Sequence, residues 1–196
     1  MTIGILKEEV PENRVALLPE AVLSLTKMMV TIYVEHDAGM RAFASDADYE
    51  AVGAKIATKA EVIAISDMLI KINPPSEAEL FDIKEKTVFL AVLNPFFNKE
   101  LIANLSVKNI TSFSLDVIPR TSRAQSMDIL SSMATVSGYK AVLTAANSLP
   151  KFFPMFMTAA GTITPAKVLI LGAGVEFVRL RLEVTGAELA VPAHVE

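Results

Sequence analysis

The sequence predicts an α/β protein: an open parallel-sheet N-terminal domain followed by the start of an incomplete Rossmann-like domain. Three observations carry that expectation. Short runs rich in Val, Ile and Leu recur at regular intervals, segments of helical length separate them, and a late apolar run ends in a glycine turn. Strands buried on both faces read as apolar runs without clean alternation, and strand alternating with helix is the pattern of an open α/β sheet.

The elements follow in order. Ile3–Leu6 opens the chain as a strand, and Pro19–Met28 reads as a helix because proline suits a first helical turn. Val30–Val34 is the second strand, and Asp46–Val52 and Lys59–Ile65 are helices. Met68–Ile72 is a strand, and Ser76–Ile83 a helix in which Ser76 and Glu79 have the spacing of a capping box. Val88–Leu93, the helix Asn98–Leu105 and the strand Ile110–Leu115 complete this first set. From Ser122 to Ser148 the pattern becomes a long, mostly helical stretch with an interruption at Gly138. Ser148–Pro154 reads as a hinge, since Pro150 and Pro154 each bias the preceding residue away from helix. A second α/β unit starts at Lys167, with Val168–Leu171 as its strand. The expected organisation is therefore a domain over 1–120, a connector over 121–165 carrying a polar loop, and a Rossmann-like unit over 166–196.

Composition excludes several classes. The chain is 52% hydrophobic with a mean hydropathy of +0.45. No uninterrupted apolar run reaches the roughly 18 residues of a spanning helix, because Phe152–Val175 is broken by Pro154, Gly161, Pro165 and Lys167. The first residues read as a strand and lack the basic, apolar and cleavage regions of a signal peptide. There is no cysteine, hence no disulfide framework or thiolate chemistry. A net charge of −4 gives no basic footprint for nucleic acid. His36 and His194 are the only histidines, which argues against a multi-histidine metal site, and no metal is expected. His36, beside Asp37, reads as a loop histidine paired with its neighbour. Phe152, Phe153 and Phe156 read as packing between domains.

The run from Pro119 to Ser132 holds two guanidiniums, an amide, a carboxylate and several hydroxyls between two apolar stretches. Cores exclude such groups unless they are paired, so the cluster calls for solvent or a polar ligand. Further on, Val168–Gly174 is a strand running into the kind of turn that holds a dinucleotide pyrophosphate. Gly172 and Gly174 are present, but Phe177 stands where the third glycine belongs and Glu176 puts a carboxylate where phosphate would bind. Val178–Val184 alternates like a strand where a helix is expected, and Pro192 would disturb a central second strand.

These stretches together resemble the NAD(H)-binding subunit of proton-translocating nicotinamide nucleotide transhydrogenases. The resemblance covers roughly residues 1–175 and includes Gly4–Glu8, Glu12–Pro19, Phe113–Asp116, Ser122–Ser132, Phe152–Lys167 and Leu169–Val175. It implies a two-domain, dimeric α/β protein in the cytoplasm or its mitochondrial equivalent, peripheral to the membrane. Such a protein exchanges hydride between NAD(H) and NADP(H) held on a partner subunit, coupled to proton movement through membrane subunits. By the same resemblance, the loop holding Arg120, Thr121, Ser122, Arg123, Gln125, Asp128 and Ser131 binds the nicotinamide end. Arg120 and Asp128 would orient the carboxamide, Ser131 would hydrogen-bond it, and Gln125 would reach toward the partner's nucleotide. Gln125 and Asp128 are thus the catalytic candidates. Gly172, Gly174 and Val175 would serve the cofactor from the glycine turn. Direct hydride transfer needs no acid or base, only two rings held in register.

Alanine dehydrogenases share the ancestry and resemble the chain at Arg14 and Lys71, which in that family meet the substrate. They also require a histidine near the end of the fourth strand, where this chain reads Thr87–Pro95 with none. Arg14 and Lys71 are then expected as ion-paired or solvent-facing residues. After Val175 the resemblance stops, which leads to the expectation of a truncated or altered dinucleotide unit. Two functions follow from it: an NAD(H)-binding transhydrogenase component of impaired activity, or a non-catalytic remnant acting as an interaction module.

Overall fold

The computed structural model describes residues 1–169 and 188–190. The chain divides into two compact units, Met1–Thr121 and Ser122–Glu196.

The first unit is a six-stranded, wholly parallel sheet of order β3-β2-β1-β4-β5-β6. Its strands are β1 (Thr2–Ile5), β2 (Thr31–Glu35), β3 (Lys55–Ala57), β4 (Met68–Ile70), β5 (Val88–Ala91) and β6 (Thr111–Ser114). Between them run α1 (Pro19–Thr26), α2 (Asp46–Ala51), α3 (Lys59–Ile65), α4 (Glu77–Asp82) and α5 (Lys99–Val107). Three of these helices start at full capping boxes: Ser45 with Asp48, Thr58 with Glu61, and Ser76 with Glu79. Each box satisfies backbone donors that a helix start leaves free. The α/β expectation is met, and the predicted strands and helices recur within a few residues. Strand β3 was not foreseen; it has three residues, one of them an exposed lysine.

Successive side chains of a strand point to opposite faces, and the sheet accordingly separates two cores. Ile3, Ile5, Ile32, Val34 and Ile70 pack with Val22 of α1 and Tyr49 of α2. Leu69, Phe89 and Ala91 pack on the other side with Val62 and Ile63 of α3 and Leu105 of α5. Tyr49 is fully buried, and its hydroxyl donates to the Leu17 carbonyl at 2.8 Å. Burial pushes its pKa up to about 12. Strand order reverses between β1 and β4, which makes the carboxyl ends of these two strands the topological switch point of the sheet.

The second unit opens with a loop containing a short 3-10 turn (Gln125–Met127), followed by α6 (Ile129–Ser148). The long helix thus begins seven residues later than the sequence pattern suggests, because Asp128 caps it. Gly138 does not interrupt it; it is the helix's one buried residue. Next comes an antiparallel hairpin, β7 (Phe156–Thr158) with β8 (Gly161–Ile163), in a stretch expected only as connector and packing. Phe152 and Phe156 stack at a tilt, with ring centres 4.9 Å apart. Finally β9 (Lys167–Leu169) pairs in parallel with β10 (Glu188–Ala190), and β10 ends two residues before Pro192. Among the described residues no helix is long and apolar enough to cross a membrane.

Candidate functional site

Two groups of polar residues bear on function. The first is the loop ahead of α6. Arg120 and Thr121 close the first unit; Ser122, Arg123 and Gln125 open the second, and all five are exposed. Asp128 is the N-cap of α6. Its Oδ1 accepts the backbone N–H groups of Leu130 at 3.0 Å and Ser131 at 3.1 Å. Its Oδ2 accepts the Ser131 hydroxyl at 2.6 Å. The Ser132 hydroxyl donates to the Asp128 carbonyl at 3.0 Å. A carboxylate and a hydroxyl are thereby fixed side by side at a helix start, both half-buried. The Ser131 hydroxyl gives its one hydrogen to Asp128, so the pair as it stands offers acceptors, which suit the two N–H donors of a carboxamide. Gly172, Gly174 and Val175 lie outside the described residues.

The second group lines a cavity of about 360 Å³ bordered by the loop after β1 and the loop after β4, including Glu8, Glu12, Lys71, Asn73 and Ser76. Lys71, only 2% exposed, donates to Glu79 Oε2 at 2.8 Å; Lys59 donates to Oε1 at 2.9 Å. Burial drives the Glu79 pKa up, but the hydrogen bonds from Lys71 and Lys59 outweigh it and hold the carboxyl below its ordinary value. Burial acts against the Lys59 charge, and the hydrogen bond to Glu79 together with the negative charges of Glu79, Glu35 and Glu9 outweighs it and raises the pKa. Glu8 is also buried. It accepts the N–H of Ile72 at 2.5 Å and the side-chain amide of Asn73 at 3.0 Å, while Arg41 donates to its carbonyl.

Arg14 grips Glu12 through two donors, Nε at 2.9 Å and Nη2 at 2.6 Å, and that hydrogen bonding lowers the Glu12 pKa to about 2. Both Arg14 and Lys71 are therefore ion-paired, in line with the expectation for them, and Lys71 is buried as well. Sequence reasoning assigned Glu8 no role and saw Glu79 only as a capping residue. The available signal for Glu8 was an acid placed directly behind a strand.

The carboxyl end of β5 continues into Val92, Leu93, Asn94 and Pro95, with no imidazole. Here the Ser114 hydroxyl accepts the Leu93 N–H at 3.0 Å and donates to Asp116, which ties this turn to the end of β6.

Residues 4–137 match the family described as alanine dehydrogenase/PNT, N-terminal domain, and residues 141–178 match alanine dehydrogenase/PNT, C-terminal domain. The chain is 43% identical over 176 residues to NAD(P) transhydrogenase subunit alpha of Haemophilus influenzae, a match covering 89% of this chain and 34% of that protein. It is 39% identical over 165 residues to NAD(P) transhydrogenase subunit alpha of Cereibacter sphaeroides, covering 84% and 32%. The chain thus spans about a third of the length of these relatives. Among solved structures, a transhydrogenase from Sinorhizobium meliloti superposes with a TM-score of 0.92 at 35% identity, covering 97% of this chain and 58% of that one. An L-alanine dehydrogenase superposes at 0.84 with 24% identity, covering 97% and 54%, a likeness of fold.

Proposed function

The chain belongs to the alanine dehydrogenase/PNT family, and from that premise we propose that it is the NAD(H)-binding part of a proton-translocating transhydrogenase. Hydride passes between NAD(H) on this chain and NADP(H) on a partner subunit, at the surface of a membrane whose own subunits carry the proton. The observation that carries this reading is the Asp128–Ser131 pair at the head of α6, inside the matched region and flanked by exposed polar side chains.

The residues divide the work as follows. Bound NADH supplies the hydride. Asp128 and Ser131 hold the carboxamide and so fix the rotation of the nicotinamide ring. Arg120, Thr121, Ser122 and Arg123 give the loop its polar surface, and Gln125 stands exposed for contact with the partner's nucleotide. Gly172, Gly174 and Val175 are assigned to the cofactor by sequence. Ring positioning is the whole catalytic requirement for direct hydride transfer. Oxidation of an amino acid requires proton transfer as well, and the turn after β5 offers no histidine for it.

The test is a fluorescence titration with NADH, which the absence of tryptophan keeps free of background. Saturable binding is expected, weakened about tenfold or more in Asp128→Asn, which loses the charged acceptor. Failure to saturate at millimolar NADH would overturn the reading.

A further inference from the structure

A separate set of ligating side chains lies in the first unit, at the carboxyl end of β2. The chain leaves that strand through His36 and Asp37 and comes back beside them at Asp46, the first residue of α2. The His36 Nδ1 contacts Asp46 Oδ2, and its Nε2 lies 3.4 Å from Asp37 Oδ2. One ligand atom from each of the three residues falls within 4.8 Å of the others. The backbone beneath them is fixed: the His36 N–H donates to the Ala57 carbonyl at 3.0 Å, and the Asp37 N–H donates to Asp46 Oδ1 at 3.0 Å. Side-chain exposures of 68%, 42% and 21% for His36, Asp37 and Asp46 leave one side of the cluster open to water.

Two carboxylates and one imidazole thus meet at the exit of β2, the ring in hydrogen-bond contact with Asp46 and 3.4 Å from Asp37. Among the described residues neither Asp37 nor Asp46 has a lysine or arginine ion-pair partner.

We propose that His36, Asp37 and Asp46 form a binding site for a divalent transition-metal cation of the zinc class. One imidazole nitrogen with two carboxylate oxygens is a borderline donor set, short of the all-oxygen shell of calcium or magnesium and of the sulfur that selects Cu(I). Zinc holds N and O ligands at about 2.0–2.2 Å, which puts ligand atoms about 3–4 Å from one another. One ion takes one ring nitrogen, and the two aspartates lie nearest opposite ones, so the set closes by rotation of the exposed imidazole and Asp37 toward a shared point. Water completes the coordination on the open side. The bound ion fastens the exit of β2 to the first turn of α2. This site is independent of the nicotinamide reading.

The experiment is calorimetric titration of the tag-free, chelator-treated 196-residue chain with ZnCl2, in parallel with thermal unfolding. One equivalent per chain is expected, with a rise in Tm. His36→Ala, a change at an exposed side chain, should weaken binding by about tenfold or more and abolish the rise in Tm. Asp37→Asn should weaken binding, and His194→Ala should leave it intact. MgCl2 at the same concentration should not substitute. Undiminished zinc binding in His36→Ala, or no binding at millimolar zinc, would overturn the proposal.

Discussion

Lys71 reaches Glu79 across 2.8 Å with both side chains almost wholly withdrawn from water. The same carboxylate accepts Lys59 and, at 3.0 Å, the Ser76 N–H, so one acid on a six-residue helix serves two cations and a helix start. Removing one partner of a buried ion pair strands the other charge, at a cost of about 3–5 kcal/mol. Glu79→Ala should destabilise the first unit by that order in urea unfolding, whereas Lys59→Ala, which removes the more exposed cation, should cost much less. Equal effects would mean that the buried pair has no special weight.

The same network sets an acid limit. The Glu79 pKa is lowered in the folded state, so the folded chain holds this carboxylate's proton less tightly than the unfolded one does. The stabilisation is complete above the ordinary carboxylate range and drains away as pH falls through that range toward the lower folded value. Glu12, with a pKa near 2 against an ordinary 4.5, has the same sign over that interval. Unfolding free energy measured from pH 6 to pH 3 should fall more steeply for the wild type than for Glu79→Gln.

Asp128 acts first as a helix cap. Loss of an N-cap acceptor costs about 1 kcal/mol, and asparagine caps about as well as aspartate. Asp128→Ala should therefore speed hydrogen exchange in the first turn of α6 and lower helicity, while Asp128→Asn should leave both unchanged yet still weaken NADH binding. Equal damage to the helix in both variants would contradict the capping role.

Gly4 marks a close approach of β1 to α3. A methyl group there would lie 2.3 Å from Ser66 Oγ, 2.7 Å from Val62 Cγ1 and 2.9 Å from Leu69 Cδ2. Overpacking of this kind costs about 1–3 kcal/mol. Gly4→Ala should lower Tm by several degrees, and pairing it with Val62→Ala should recover some of the loss.

The parallel sheet was legible because most of its strands lie in apolar runs and four of its five helices start at Ser, Thr or Pro. Strand β3 escaped because Lys55–Ala57 is too short for any period to register. The hairpin β7–β8 escaped because Ala159 and Ala160 form its two-residue loop, without the Asn-Gly or Asp-Gly signal of such turns. Gly138 looked like a break, yet a glycine costs a helix only about 1 kcal/mol relative to alanine, which twenty residues of α6 absorb. Asp128 and Ser131 stood out by chemistry, but their roles as cap and capped partner depend on where the helix starts. The Lys71–Glu79 pair was invisible, since the loop of six residues between β4 and α4 carries no periodic register that would bring Lys71 back onto the helix.

Among the described residues, every strand of the six-stranded sheet comes from residues 2–114. Domains fold as units during synthesis, N-terminal first. A ribosome making this protein therefore releases a finished sheet while α6 is still being assembled, and protease cleavage next to Thr121 should leave that sheet standing.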